Sequence, residues 1–373
     1  MPASLAKKQE EVFSNIPLRE DSTAEMKKEE IKERKCVVWD LDGTLWDGIL
    51  LEGDDVQLKT GIKKILQTLD SRGILLSIAS KNNYDDAWSK LREFGIEEYF
   101  LYPQINWEAK SACIKRIHES LNIGIDSFLF VDDQAFERDE VRFVYPEVLC
   151  VDAADYRGLC DLPCLNPRFI TDDSQKRRLM YMADRDRKKE EQDYQGPKKN
   201  FLASLNIRFT ISEAKEIDLK RAEELTVRTN QLNSTGITYG YDQLRGYLGS
   251  ETHKLFICEM NDRYGDHGKI GLALVEAAKD VWYIRLLLMS CRVMSYGVGT
   301  VLLAHIMKLA NDAAAKLRAD FRHTGRNRKM YVTFRFAGFK ETGQDERGNI
   351  ILENDLSHIQ KFPPYLEVKV KEK

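Results

Sequence analysis

Net charge is nearly absent from this 373-residue chain, in which 57 Lys and Arg stand against 60 Asp and Glu for a balance of −3. That excludes the long-range pull toward polyanions of a strongly basic protein, so no nucleic-acid partner is expected. Long apolar runs are missing too. The most apolar stretches, such as Ile284 to Met289, are far too short to cross a bilayer, and no membrane partner is expected. The opening Met1-Pro2-Ala3-Ser4-Leu5-Ala6-Lys7-Lys8 lacks the apolar core of a secretory signal. The seven cysteines are odd in number and irregularly spaced, which speaks against a disulfide framework. They read as reduced thiols, and the expected location is cytoplasmic. Cys160 and Cys164 lie close together, but no second ligand pair follows, so no zinc site is expected there. Internal repeats and low-complexity tracts are also missing.

What the chain has is enough apolar residues, 43%, for the cores of about two domains. Residues 1–34 form a charged leader with sparse apolar positions. From residue 35 to 165, short apolar runs alternate with helical periodicity. Strands are predicted at Cys36–Leu41, Ile74–Ala79, Phe128–Val131 and Val148–Val151. Helices are predicted at Ile62–Ser71, Asp85–Phe94, Ala109–Leu121 and Glu137–Val144. This alternation predicts an α/β fold with a parallel sheet covered on both faces. Residues 166–203 are a linker whose dense charges, from Asp172 to Gln192, read as a solvated connecting helix capped by Thr171 or Asp172. A second α/β domain spans 204–373. Its predicted elements are a strand (Arg208–Ile211), helices (Asp218–Arg228, Tyr241–Gly249) and three strands (Leu255–Glu259, Lys269–Val275, Trp282–Leu288). A turn with Gly297 and Gly299 then leads into a helix reaching about Leu317.

Asp40-Leu41-Asp42-Gly43-Thr44-Leu45 follows the apolar run Cys36-Val37-Val38-Trp39. Two carboxylates at the end of a buried strand, before a Gly-Thr turn, suit phosphoryl transfer. Asp40 could attack phosphorus and later release the phosphoryl group to water. Asp42 could give a proton to the leaving oxygen and take one from water. A carboxylate and a phosphate repel each other, so a cation is needed between them, and Mg²⁺ is expected. Its ligands would be Asp40, Asp42, Asp132 and Asp133. Ser80 would bond a phosphoryl oxygen. Lys110 would neutralise the remaining charge, with Lys81 as a competitor. Each residue alone has a simpler reading as a cap or turn. The ordered set is the signal: strand-DxDGT, strand-Ser, Lys, strand-Asp-Asp. Ligands of parallel sheets gather at the carboxyl ends of strands. The intervals between these residues leave no room for a large lid.

These residues resemble the haloacid dehalogenase superfamily of phosphohydrolases, with Asp40 and Asp42 in its first motif, Ser80 in the second, Lys110 in the third and Asp132-Asp133 in the fourth. Trp39 to Gly48 and Val131 to Val141 narrow the resemblance to the FkbH-like branch. That branch joins such a phosphatase domain, without a large cap, to a domain similar to GNAT-type N-acetyltransferases. Arg228-Thr229-Asn230-Gln231-Leu232-Asn233, Met289-Ser290-Cys291-Arg292-Val293 and Asn327 through Phe336-Ala337-Gly338-Phe339 resemble it as well.

The resemblance implies a bifunctional glyceryl transferase/phosphatase. Such enzymes draw on 1,3-bisphosphoglycerate and load a glyceryl unit onto an acyl carrier protein for polyketide-type assembly. Cys291 is then the expected acyl-carrying thiol. It follows an apolar strand and precedes a glycine turn and a helix, whose N-terminal N–H groups favour a thiolate. By position alone it reads more simply as a buried structural cysteine. Asn230, Gln231 and Asn233 could bond an acyl or glycerate oxygen, or cap the preceding helix. Arg292 could meet a phosphate, or solvent. His323 and His305 are possible bases, with His305 read more simply as a core histidine. Met294 stands where acetyltransferases usually carry Gln or Arg, which favours a carrier-bound arm over acetyl-CoA. Two other readings compete: a plain phosphatase of a small metabolite with a docking second domain, and a non-catalytic scaffold for carrier protein or CoA.

Overall fold

The computed structural model describes residues 32–371; the charged leader read at 1–34 lies almost wholly outside them. From the first half come β1 (Cys36–Trp39), a small hairpin of β2 (Trp46–Asp47) and β3 (Gln57–Leu58), and α1 (Ile62–Ser71). Then follow β4 (Leu75–Ser80), α2 (Tyr84–Phe94), β5 (Gln104–Ile105), α3 (Lys110–Leu121), β6 (Phe128–Asp132), α4 (Ala135–Val144) and β7 (Leu149–Asp152). Five of these strands form a parallel sheet in the order β5-β4-β1-β6-β7. Side chains alternate across a strand. Val37 and Trp39 therefore enter a core with Ile65, Leu69 and Leu91 of α1 and α2. Cys36 and Val38 face the opposite core with Ile114, Ile117 and Val141 of α3 and α4. A sheet buried on both faces has continuous apolar strands, which is why these segments were readable. The predicted boundaries hold to within one or two residues, whereas the two-residue strands β2, β3 and β5 leave no periodic signal.

The charged segment departs from its expectation. It forms α5 (Asp172–Gln175) and α6 (Arg177–Asp193), with Thr171 and Ser174 capping each other reciprocally. Yet α6 is not a solvated helix: Arg177, Met180, Tyr181, Asp184 and Arg187 are buried. Its arginines are matched by partners distant in sequence. Arg178 pairs with Asp70 at 3.1 Å, and Arg187 makes a two-pronged contact with Asp262 at 2.7 and 3.0 Å. The helix therefore ties the first sheet to the second, within one compact body from Glu33 onward.

The second half comprises α7 (Lys198–Ser204), β8 (Ile207–Glu213), α8 (Leu219–Arg228), α9 (Tyr241–Arg245), β9 (His253–Asp262), β10 (Gly265–Ala277) and β11 (Val281–Met289). It closes with α10 (Val298–Asp312), β12 (Lys316–Phe321), α11 (Arg328–Phe336), β13 (Lys340–Gln344), β14 (Ile350–Asn354) and β15 (Leu366–Lys371). Its eight-stranded sheet runs β13-β14-β12-β11-β10-β9-β8-β15 and is antiparallel except for β11/β12 and β8/β15. The helix expected to reach Leu317 stops at Asp312. Ala314 adopts φ +52°, and Leu317, Ala319 and Phe321 turn inward on β12. Pairing of β11 with β12 covers Val281–Ile284 and Lys316–Ala319 only. Beyond it, Leu232 to Ser234 bonds the end of β11: Ser234 N donates to Leu287 O at 2.9 Å and Met289 N to Leu232 O at 2.9 Å. That register brings the end of β11, and Cys291 after it, toward the first half of the chain.

Candidate active site

Asp40 follows β1, Ser80 ends β4 and Asp132 ends β6, so the parallel register delivers all three to one edge of the sheet. The Asp40 N–H donates to Val131 O at 2.9 Å, which continues the β1–β6 ladder into the site. Carboxylate oxygens of Asp40, Asp132 and Asp133 lie within 4.8 Å of one another. Lys110, the first residue of α3, is buried among them. Its ammonium donates to Asp40 Oδ1 and to Ala79 O at 2.9 Å, and it lies 3.0 Å from Asp132 Oδ2. Gly43 has φ +64°, and a Cβ there would come within 2.7 Å of Asp133 Oδ2; the turn needs glycine both for its conformation and for this close approach.

Burial raises the Asp132 carboxyl to about 6, with Asp40 adding to the effect and Lys110 opposing it. Asp133 is raised by burial and by Asp40. Burial alone would lower Lys110, but the carboxylates of Asp40 and Asp132 outweigh it and hold the ammonium above its usual range. Three carboxylates thus meet one buried ammonium. Asp132 Oδ2 is buried without an aligned hydrogen bond, its contact with Lys110 being an ion pair only. A negative, oxygen-only donor set fits Mg²⁺. Lys110→Met should destabilise the protein by about 3–5 kcal/mol in urea unfolding, because it strands two buried carboxylates. A change below about 1 kcal/mol would contradict that charge balance.

Asp42 lies outside the three-carboxylate group. Its Oδ1 accepts from Trp46 Nε1 at 2.7 Å and Leu50 N at 3.1 Å, and its Oδ2 from Asn82 Nδ2 at 2.9 Å. Burial raises its pKa, and the bonds from Trp46 and Leu50 oppose this. A carboxylate has about four lone-pair directions, so one remains for a proton. The carboxylate therefore suits proton handling better than metal binding in this arrangement. Lys81 does not compete with Lys110: it is paired with Glu137 at 2.6 Å. Two residues were missed. Asn82 holds Asp42, and Thr44 accepts from Asp133 N at 3.1 Å. Both adjoin motif residues, which was the available signal.

Cys291 begins a short 3-10 turn after β11, and Gly297 separates that turn from α10. It lines a cleft of about 90 Å³ between the two halves. Asn230, Gln231 and Arg292 line the same cleft, so Arg292 is not simply solvated. Its other walls carry Lys35, Arg177, Arg221 and Arg228. Asn233 is placed elsewhere: its Oδ1 accepts from Thr235 N and Gly236 N, making it a turn residue of the strand-like segment beside β11. His323 is exposed and packs against Phe321 and Tyr331, apart from the cleft lining. His305 is buried against Phe256, as a core histidine would be. Cys160 and Cys164 are free thiols.

Glu224 does not line the cleft but pairs with two of the arginines that do. It is bonded by Arg177, and by Arg221 at 2.8 Å. Burial would raise it, but those guanidiniums and Arg228 hold it far below the usual carboxylate range. Glu224→Gln should cost about 3–5 kcal/mol in urea unfolding, since Arg177 and Arg221 lose their shared counter-charge. A loss under about 1 kcal/mol would show that these cations need no internal partner.

A family model for haloacid dehalogenase-like hydrolases matches residues 46–139. The matched span contains Ser80, Lys110, Asp132 and Asp133 and begins just after Asp40 and Asp42. A search of curated proteins finds no match. Among solved structures, the phosphatase-domain part of a Bacteroides fragilis protein, complexed with Mg, is 32% identical with TM-score 0.32, covering 36% of this chain and 40% of that one. This chain thus spans well under half of that relative. The ribosomal-protein-S18-alanine N-acetyltransferase of Escherichia coli is 17% identical with TM-score 0.30, covering 39% of this chain and 90% of that one. A GNAT-family acetyltransferase of Streptococcus pneumoniae is 16% identical with TM-score 0.32, covering 39% and 98%. Residues 46–139 are thus similar to haloacid dehalogenase-like hydrolases, within a mixed α/β molecule. Among the described residues, no helix is long and apolar enough to cross a membrane.

Proposed function

We propose a bifunctional enzyme: a Mg²⁺-dependent phosphatase centred on Asp40, and a transferase that carries a glyceryl unit on Cys291 to an acyl carrier protein. The observation that carries the phosphatase half is the convergence of Asp40, Asp132 and Asp133 around Lys110 at one sheet edge. The transferase half is supported by the FkbH-like sequence segments and by Cys291 lining a cation-rich cleft.

In the phosphatase half, Asp40 Oδ attacks phosphorus and the ester P–O bond breaks. The leaving oxygen takes the proton of Asp42. Water then attacks phosphorus, Asp42 takes its proton, and the Asp40–phosphorus bond breaks. Lys110 fixes the Asp40 oxygen and offsets its charge. Ser80, buried at the end of β4, would bond a phosphoryl oxygen. Asp40, Asp132 and Asp133 would hold Mg²⁺, which when bound screens the phosphoryl charge from the carboxylates. The interval from β1 to β4 holds only the β2–β3 hairpin and α1, which leaves room for a bulky, tethered substrate.

In the transferase half, the Cys291 thiolate attacks the acyl carbon of 1,3-bisphosphoglycerate. The C–O bond to the acyl phosphate breaks and phosphate leaves with the electron pair. The carrier's pantetheine thiol then attacks the thioester, and the Cys291 sulfur leaves. The test is intact-protein mass spectrometry after incubation with 1,3-bisphosphoglycerate and Mg²⁺. A glyceryl or phosphoglyceryl adduct that disappears when holo carrier protein is added supports the reading. No adduct, with ready turnover of free phosphate esters, would favour the plain phosphatase with a docking second domain.

A further inference from the structure

Among the described residues, the cleft at Cys291 is lined by cationic side chains and by no carboxylate. Lys35, Arg177, Arg221, Arg228 and Arg292 line it. Glu224 binds Arg177 and Arg221, Asp173 meets Arg221 at 2.8 Å, and Arg228 lies 4.0 Å from both Glu224 and Glu33. Among the described residues, neither Lys35 nor Arg292 has a carboxylate at ion-pair distance. The Lys35 ammonium donates to Arg228 O at 3.0 Å, one bond for three protons. Arg292 Nη2 donates to His267 O at 3.1 Å, while its Nη1 is buried with no hydrogen-bond partner among the described residues. An unmatched donor in such a place is destabilising unless a ligand satisfies it.

We infer that this cleft is a phosphoryl-binding site in its own right, separate from the Asp40 group, which seats a phosphorylated small molecule against Cys291. The chemistry suits a dianion. Guanidinium groups grip phosphate oxygens in pairs, and a lysine adds a point charge. Burial and the neighbouring Arg228 lower Lys35 to about 8, and burial and Arg177 lower Arg228 to about 9, so a bound anion would relieve both. Asn230 and Gln231 on the same wall can bond the uncharged end of the molecule. Anion binding stands on the cleft alone; the placement of an acyl carbon at Cys291 rests on the transferase reading above.

The probe is inorganic phosphate, and the readout is iodoacetamide alkylation of Cys291 in the full chain, followed by peptide mass spectrometry at constant ionic strength. Phosphate should slow alkylation saturably, by about tenfold at ten times its Kd. Cys160 and Cys164, half-buried elsewhere, should not respond. Lys35→Gln and Arg292→Gln should each raise the half-protecting concentration by roughly tenfold, and Arg292→Lys by less. No protection in the wild type, or equal protection in wild type and both glutamine variants, overturns the inference. A second measurement needs no variant: tungstate soaked into wild-type crystals should bind among Lys35, Arg228 and Arg292. Tungstate at Asp40 alone would contradict the site. Phosphate protection without any adduct from 1,3-bisphosphoglycerate would sink the transferase reading and leave this site standing. An adduct formed equally fast by Lys35→Gln and Arg292→Gln would do the reverse.

Discussion

Asp40→Asn should abolish phosphate release, lowering the rate by at least about 10³-fold while the protein still folds. Asn keeps the shape of the side chain but removes the nucleophilic charge. The position is buried and bonded to Lys110, which holds the side chain in place. Asn cannot accept the phosphoryl group at a useful rate, and Lys110 loses its closest counter-charge. Chelation of divalent cations should silence the wild type to a similar degree, because the remaining carboxylates then repel the phosphate. Steady-state assays with a chromogenic phosphate ester check both. Activity of Asp40→Asn within about tenfold of wild type would remove Asp40 from the chemistry.

The second large effect concerns Cys291→Ala. Cys291 alone among the seven cysteines lines the cationic cleft. Its Sγ donates to Asn122 O at 3.7 Å, and alanine keeps the Cβ while removing this one polar contact. The variant should form no adduct with 1,3-bisphosphoglycerate, while its phosphatase activity on free esters stays near wild type. Asp40→Asn should give the complementary result: the adduct forms and keeps its phosphate, so its mass exceeds that of the wild-type adduct by one phosphoryl group. Intact mass spectra of the two variants separate the two halves of the chemistry. An adduct persisting on Cys291→Ala would move the acyl carrier to another nucleophile.

The carboxylate group at the sheet edge was legible because its residues sit directly after buried, wholly apolar strands. Val37 to Trp39 and Phe128 to Val131 announce the strands, and the register of parallel pairing then brings Asp40 and Asp132 together. The Asp42 carboxylate was harder to place. Its separation from the acidic group depends on Trp46, Leu50 and Asn82, and only folding brings Asn82 to it. The helix α6 was misread for the same reason. Its charges look solvated until Asp70 and Asp262, far off in the chain, supply partners. Asn233 was open to two readings, substrate binding or helix capping, and instead its side chain closes a turn while its backbone borders β11. The strands β13 and β15 were not predicted, because most of their residues are exposed and carry no inward face to read. The cationic cleft could not be foreseen, since its walls come from Lys35, α6, α8 and the turn after β11.

The central claim is a phosphoryl group carried on Asp40. The most direct test mixes wild-type protein, Mg²⁺ and a phosphate ester, quenches in acid within the first turnover, and maps the peptides by mass spectrometry. One phosphoryl group should appear on the peptide bearing Asp40, disappear after hydroxylamine treatment, and be missing from Asp40→Asn. Rapid ester hydrolysis with an unlabelled Asp40 peptide, or a label that survives hydroxylamine, would contradict it.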